Sequence, residues 1–222
     1  MHNENFWSPV LISVEVTLTA SILAFAIALA ASWAMARTSF RGKVLVETLL
    51  MLPLVLPPTV VGFGLLVLLG RNSWLGRLIE WLFHQPVIFT WWAAVIAATV
   101  VAFPLVYQTL KTGFESVDRD LEDVARTEGA SEWQVFRHIT LPLAWRFLLS
   151  AYLFGFARGI GEFGATLMFA GNIPGKTETI PTAIYLAVES GNMETATYWV
   201  LTIVVMSYAM LGLVHLLRSR HY

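Results

Sequence analysis

Four stretches of this chain are too long and too apolar to belong to an ordinary soluble core. No Asp, Glu, Lys or Arg occurs over Val16–Ala36, Thr48–Gly70, Trp81–Leu110 or Thr195–Leu217. A helix of about 20 residues crosses the hydrocarbon core of a bilayer, so each run is long enough for one passage. In the longest run the passage is placed at Thr90–Leu110. A further span is read over Leu141–Phe163, although Arg146 and Arg158 interrupt it. Backbone groups in lipid must pair internally, which leaves only helices or a closed barrel. None of the runs alternates apolar with polar residues as a barrel strand does. The reading is an all-α membrane protein with about five transmembrane helices, forming a single domain over 1–222. Charge content agrees: 13% of residues are charged, against about 25% in soluble domains. The first span is not read as a cleavable signal, because the flank MHNENFWSP lacks Lys and Arg and the apolar run is too long.

Basic residues orient the spans. With five passages, Arg37, Arg41, Lys43, Lys111, Arg119, Arg126, Arg137, Arg218 and Arg220 share one side, and Arg71, Arg77 and Lys176 share the other. Cytoplasmic flanks carry the excess of Lys and Arg. The N-terminus is therefore expected outside and the C-terminus in the cytoplasm. Trp7, Trp33, Trp74, Trp81, Trp91, Trp92 and Trp199 fall near span ends, where aromatic side chains anchor helices to the lipid interface. A net charge of -1 gives no ground for a nucleic-acid partner.

The longest cytoplasmic segment, at about 111–140, is polar but patterned. Asp118 can cap a first short helix, on which Leu121, Val124 and Ala125 form a narrow apolar stripe. Gly129 suits the left-handed residue that ends a helix. Ser131 and Gln134 have capping-box spacing for a second helix, with Trp133, Phe136 and Val135 as its apolar side. Pro142 suits the first turn of the next span. Such a segment is either an amphipathic hairpin on the membrane surface or a knob that docks into a partner's groove.

Here the residues resemble a family. The permease subunits of ABC importers carry Glu-Ala-Ala, three residues, Gly, nine residues, Ile, one residue, Leu-Pro. This chain has Asp123, Val124 and Ala125, then Gly129, then Ile139, Leu141 and Pro142, with the same spacing. Asp123 and Val124 depart from the pattern. The resemblance implies the type I ABC-importer permease fold and a homodimer in the bacterial inner membrane. It also implies a coupling loop that seats in each of two cytoplasmic ABC ATPase subunits. By it, Asp118, Leu121, Ala130, Trp133 and Phe136 join the signature residues as the ATPase-coupling set. Two further stretches, Phe156–Tyr185 and Leu52–Val67, are similar to bacterial molybdate permeases. That branch implies ATP-driven molybdate import with an extracytoplasmic oxyanion-binding protein; sulfate or tungstate is the alternative substrate. An ion-coupled secondary transporter is the alternative class, but the chain has no convincing internal repeat.

Arg158 and Glu162 lie four apart on the fifth candidate span. They form either a structural pair or part of a path, since charge within a membrane usually faces a partner or water. A transiting dianion would need the donors and positive charge that Arg158 offers. Gly155, Gly159, Gly161 and Gly164 thin the same segment, with small-residue packing as the plainer account. Pro53, Pro57 and Pro58 give a shaped helix start or, at Pro57 and Pro58, a gate. No catalytic, cofactor-binding or metal-ligating constellation is read. The stretch GNIPGKT has three residues where a nucleotide P-loop needs four; the resemblance implies that ATP hydrolysis resides on a separate subunit.

Overall fold

The computed structural model describes residues 3–219, with side chains over 6–212. Arg220 and the side chain of Arg218, both used for orientation, lie outside the described residues. Every regular element among those described is helical. Helix α1 (Asn3–Arg37) begins well before the apolar run. It buries Ser13, Val16, Thr17, Ala20, Ala24, Ala28 and Ser32. Their spacing of three and four makes one stripe of small side chains, which lets α1 lie close along α5 (Trp91–Glu115). Helix α5 is the hub. Its Ala93, Val95, Ala98, Val101, Val106, Tyr107, Leu110 and Phe114 are almost fully enclosed.

Two expected spans are not single helices. Thr48–Gly70 is split into α2 (Lys43–Val55) and α3 (Pro58–Leu69), with a bend of 116° between them. Leu56 is extended, at φ -70 and ψ 143, as a residue before proline prefers. Pro58 then opens α3 afresh. The prolines thus stop one helix and start another rather than kinking a continuous one. The short connecting helices α6 (Arg119–Thr127), α7 (Glu132–Val135) and α8 (Leu141–Leu143) precede the second break. There the chain bends by 75° between the segment Glu132–Leu143 and α9 (Trp145–Ile160). Three described helices are long and apolar enough to cross a membrane, or up to five if each bent pair counts as one. The third is α12 (Met193–Ser219), which matches the last expected span.

Three further helices fall where the sequence suggested loops or span ends. Helix α4 (Trp74–Phe83) follows α3, capped by Ser73. Helix α10 (Gly164–Ala170) resumes after α9 and packs against α3 and α5. Helix α11 (Ile180–Glu189) forms within the segment expected as an outer loop between the last two spans.

Contacts define the two ends of the bundle. At one end Trp199 Nε1 donates to Phe6 O at 3.2 Å, Ile180 N–H to Ser13 Oγ at 2.7 Å, and Phe89 N–H to Phe169 O at 3.3 Å. At the other, Arg37 pairs with Glu122 and Lys111 Nζ meets Glu47 at 2.7 Å. These ends are the two sets of flanks distinguished by their basic residues.

Candidate functional site

The segment between α5 and α9 is built from local instructions. Asp118 caps α6 by accepting the Asp120 N–H at 3.0 Å. Gly129 has φ +92, a conformation that costs a side-chain-bearing residue and glycine little. The Ala130 N–H then closes onto Ala125 O at 3.0 Å. Ser131 and Gln134 cap α7 reciprocally: the Ser131 N–H donates to Gln134 Oε1 at 2.7 Å, and the Gln134 N–H to Ser131 Oγ at 3.4 Å. A π turn over Phe136–Thr140 follows. Pro142 then sits in the first turn of α8, as its missing N–H allows.

The amphipathicity of this hairpin is inverted. Leu121 is 50% exposed, Val124 61% and Trp133 61%, while Glu122 is 0% exposed. A helix packed on a water-soluble core would turn its leucine and valine inward. Ala125, Gly129, Ala130 and Ile139 line a shallow concavity between the two short helices, with Glu128, Gln134, Val135 and His138. Phe136 and Val135, expected on the outer apolar side, are instead buried. The Phe136 ring packs 4.8 Å from Trp33 and 6.0 Å from Phe114. Trp33 therefore fastens the loop to α1 rather than serving as a plain interfacial anchor.

A charge network holds the hairpin. Arg126 bonds Asp123 at 2.6 Å and Glu132 at 2.7 Å, joining α6 to α7. The bond to Arg126 holds the Glu132 carboxyl below its usual range, and the same bond raises Arg126. Inward, Glu122 receives Arg37 from the end of α1 and the Thr140 hydroxyl at 2.6 Å. Sequence reasoning missed Glu122, Arg37 and Thr140. In RDLEDVART a glutamate reads as one solvated charge among several, and its spacing of four from Arg126 is the one local signal.

The second set of residues comes together around the helix breaks. Arg158 pairs with Glu162 at 3.1 Å, with side chains 31% and 2% exposed. Glu162 lies beyond the end of α9, so the pair does not sit within one helix. Its other oxygen accepts the Ala165 N–H at 2.8 Å, tying the start of α10. A Cβ on Gly164 would stand 3.1 Å from Pro58 Cβ, so α3 and α10 start side by side. Pro57 is the N-cap residue of α3. Gly161, by contrast, has no neighbour within 4 Å of a Cβ position, so helix packing does not explain it. Gly155 and Gly159 do have such neighbours, Val106 at 2.7 Å and Thr17 at 3.3 Å.

Comparison with known proteins places this architecture. The chain is 57% identical to YvgM of Bacillus subtilis (strain 168) over 207 residues, covering 93% of this chain and 91% of that protein. It is 43% identical over 190 residues to the molybdenum transport system permease protein ModB of Escherichia coli (strain K12), covering 85% and 82%. Among solved structures, the inward-facing MetNI methionine ABC transporter aligns with a TM-score of 0.77 at 17% identity, over 99% of each chain. That likeness shows the importer-permease fold expected from the coupling-loop signature. The family described as binding-protein-dependent transport system inner membrane component matches residues 15–220; the chain belongs to that family of inner-membrane transport subunits.

Proposed function

We propose that this chain is the permease subunit of an ATP-driven importer that moves molybdate across the bacterial inner membrane. In this reading two copies form the path, two cytoplasmic ABC ATPase subunits seat on the hairpins, and an extracytoplasmic oxyanion-binding protein delivers the anion. The observation that carries it is the inverted hairpin, with Leu121, Val124 and Trp133 presented outward and a carboxylate enclosed behind them. A helix face of this kind fits the groove of a partner protein. The excess of basic residues at that end supports a cytoplasmic partner. The similarity to the molybdenum transport permease ModB supports molybdenum as the element carried. Arg158, Glu162, Gly161, Gly164, Pro57 and Pro58 surround two helix breaks within the apolar part of the chain, which suits a path or gate.

The test is uptake by proteoliposomes holding the chain, its ATPase and its binding protein. ATP-dependent accumulation of molybdate is the expected result. Preference for sulfate or tungstate would reassign the substrate. Uptake driven by an ion gradient without ATP, and no ATPase co-purifying, would overturn the reading.

A further inference from the structure

We infer that Glu122 is the positioning residue that converts movement of the docking hairpin into movement of the membrane helices. This rests on the hairpin being the ATPase joint. One carboxylate oxygen of Glu122 joins three elements. It belongs to α6, it receives Arg37 from the last turn of α1, and it receives Thr140 from the end of the π turn that leads into α9. Glu122 and Thr140 are both essentially inaccessible, at 0% and 1% exposed. The other oxygen has no hydrogen-bond partner within the protein and faces Arg126 at 3.6 Å. Arg126 is in turn gripped by Asp123 and Glu132 on the outer surface of the hairpin. A continuous line of ion pairs thus runs from the docking surface to α1, and the Thr140 hydroxyl extends it by a hydrogen bond to the turn before α9.

The placement is costly unless geometry is required. A buried charge pair is often no more stabilising than apolar side chains of similar volume. What it supplies is direction, because hydrogen bonds fix distance and angle whereas apolar contacts slide. The far end of the line is suited to move. A π turn is a local irregularity of helix winding, found frequently at functional sites, and the 75° bend comes one short helix later, between α8 and α9. Helices α1 and α9 both pack on the α5 hub, and α9 carries Arg158.

A purely structural staple and a mechanical link predict different readouts. In the reconstituted complex, molybdate taken up per ATP hydrolysed is measured on the assembled fraction alone. Glu122→Gln keeps the side-chain shape but loses the charge. We expect the ATPase still to co-purify and ATP still to be hydrolysed, with uptake per ATP reduced about tenfold, a typical size for coupling between sites. Thr140→Val, which removes only one hydroxyl, should lower the ratio in the same direction. Arg37→Lys should retain more coupling than Arg37→Gln. A wild-type ratio in both Glu122→Gln and Thr140→Val would overturn the inference, even if complex yield or melting temperature had dropped. If Glu122→Gln does not assemble, the Thr140 and Arg37 variants decide by the same ratio. Failure of the wild-type chain to bring down an ATPase would sink the underlying joint instead, whatever these variants do.

Discussion

Gly129 and the Arg158–Glu162 pair depend on single side chains. Nothing lies within 4 Å of where a Gly129 Cβ would stand, so the demand for glycine comes from φ +92 alone. Gly129→Ala should therefore cost about 1–2 kcal/mol. Gly129→Pro cannot adopt the turn, because the ring fixes φ near -65°. The proline variant should insert into membranes normally yet lose ATPase co-purification, which a pull-down from detergent extracts reads directly. At the pair, Arg158→Gln strands a buried carboxylate, and breaking such a pair costs about 3–5 kcal/mol. Complex yield should fall. Adding Glu162→Gln removes the stranded charge and leaves an amide oxygen to accept the Ala165 N–H. Recovered yield with uptake still poor is expected if Arg158 serves the anion. Full uptake by the double variant would make the pair structural.

Between elements, the contact of α3 with α10 and the joint of α6 with α7 are the informative ones. A Cβ on Gly62 would stand 2.7 Å from Ala165 Cα and 2.8 Å from Met168 Cβ. Backbone cannot yield there, so Gly62→Val should drive the two helices apart at a cost of about 1–3 kcal/mol. A lowered melting temperature of the purified complex would register it. The α6–α7 joint has a pH dependence whose sign is fixed. Glu132 is held below its ordinary value of 4.5 by the Arg126 bond. The stability it contributes is present above that ordinary value and is lost as pH falls through the lowered one. Hydrogen exchange of the 130–135 amides, corrected for intrinsic pH effects, should stay level from neutral pH down to about 5 and rise in stronger acid. Glu132→Gln should show the looser behaviour at neutral pH and abolish the acid transition.

For the whole molecule, sidedness is the property that all the partners depend on. The hairpin, the end of α1 and the start of α2 share one end of the bundle; α11 and the start of α12 share the other. Ser116 and Lys176 are exposed at opposite ends, and the chain has no native cysteine. Lys176→Cys should react with an impermeant thiol reagent added outside intact cells, and Ser116→Cys should react only after lysis. Labelling of Ser116→Cys in intact cells would reverse the orientation and move the ATPase site with it.

Membrane crossing, the Asp118 and Ser131 caps and the turn at Gly129 were legible in the sequence. Each depends on residues within a few positions of one another, where hydropathy, side-chain capping and φ preference act. Pro57 and Pro58 marked a shaped helix start within one expected span, but the arrest at Leu56 and the 116° bend were not legible. A proline can end a helix, yet its direction afterwards is set by what it packs on, and here Gly62 and Gly164 let α10 approach. The inward turn of Phe136 and the enclosure of Glu122 were hidden for the same reason. Burying a carboxylate requires a matching donor, and Arg37 stands 85 residues away in the chain. Local patterning fixed which segments enter the membrane and where the hairpin turns. Tertiary structure alone decided that the hairpin faces outward with its apolar side and grips the helices with its charged one.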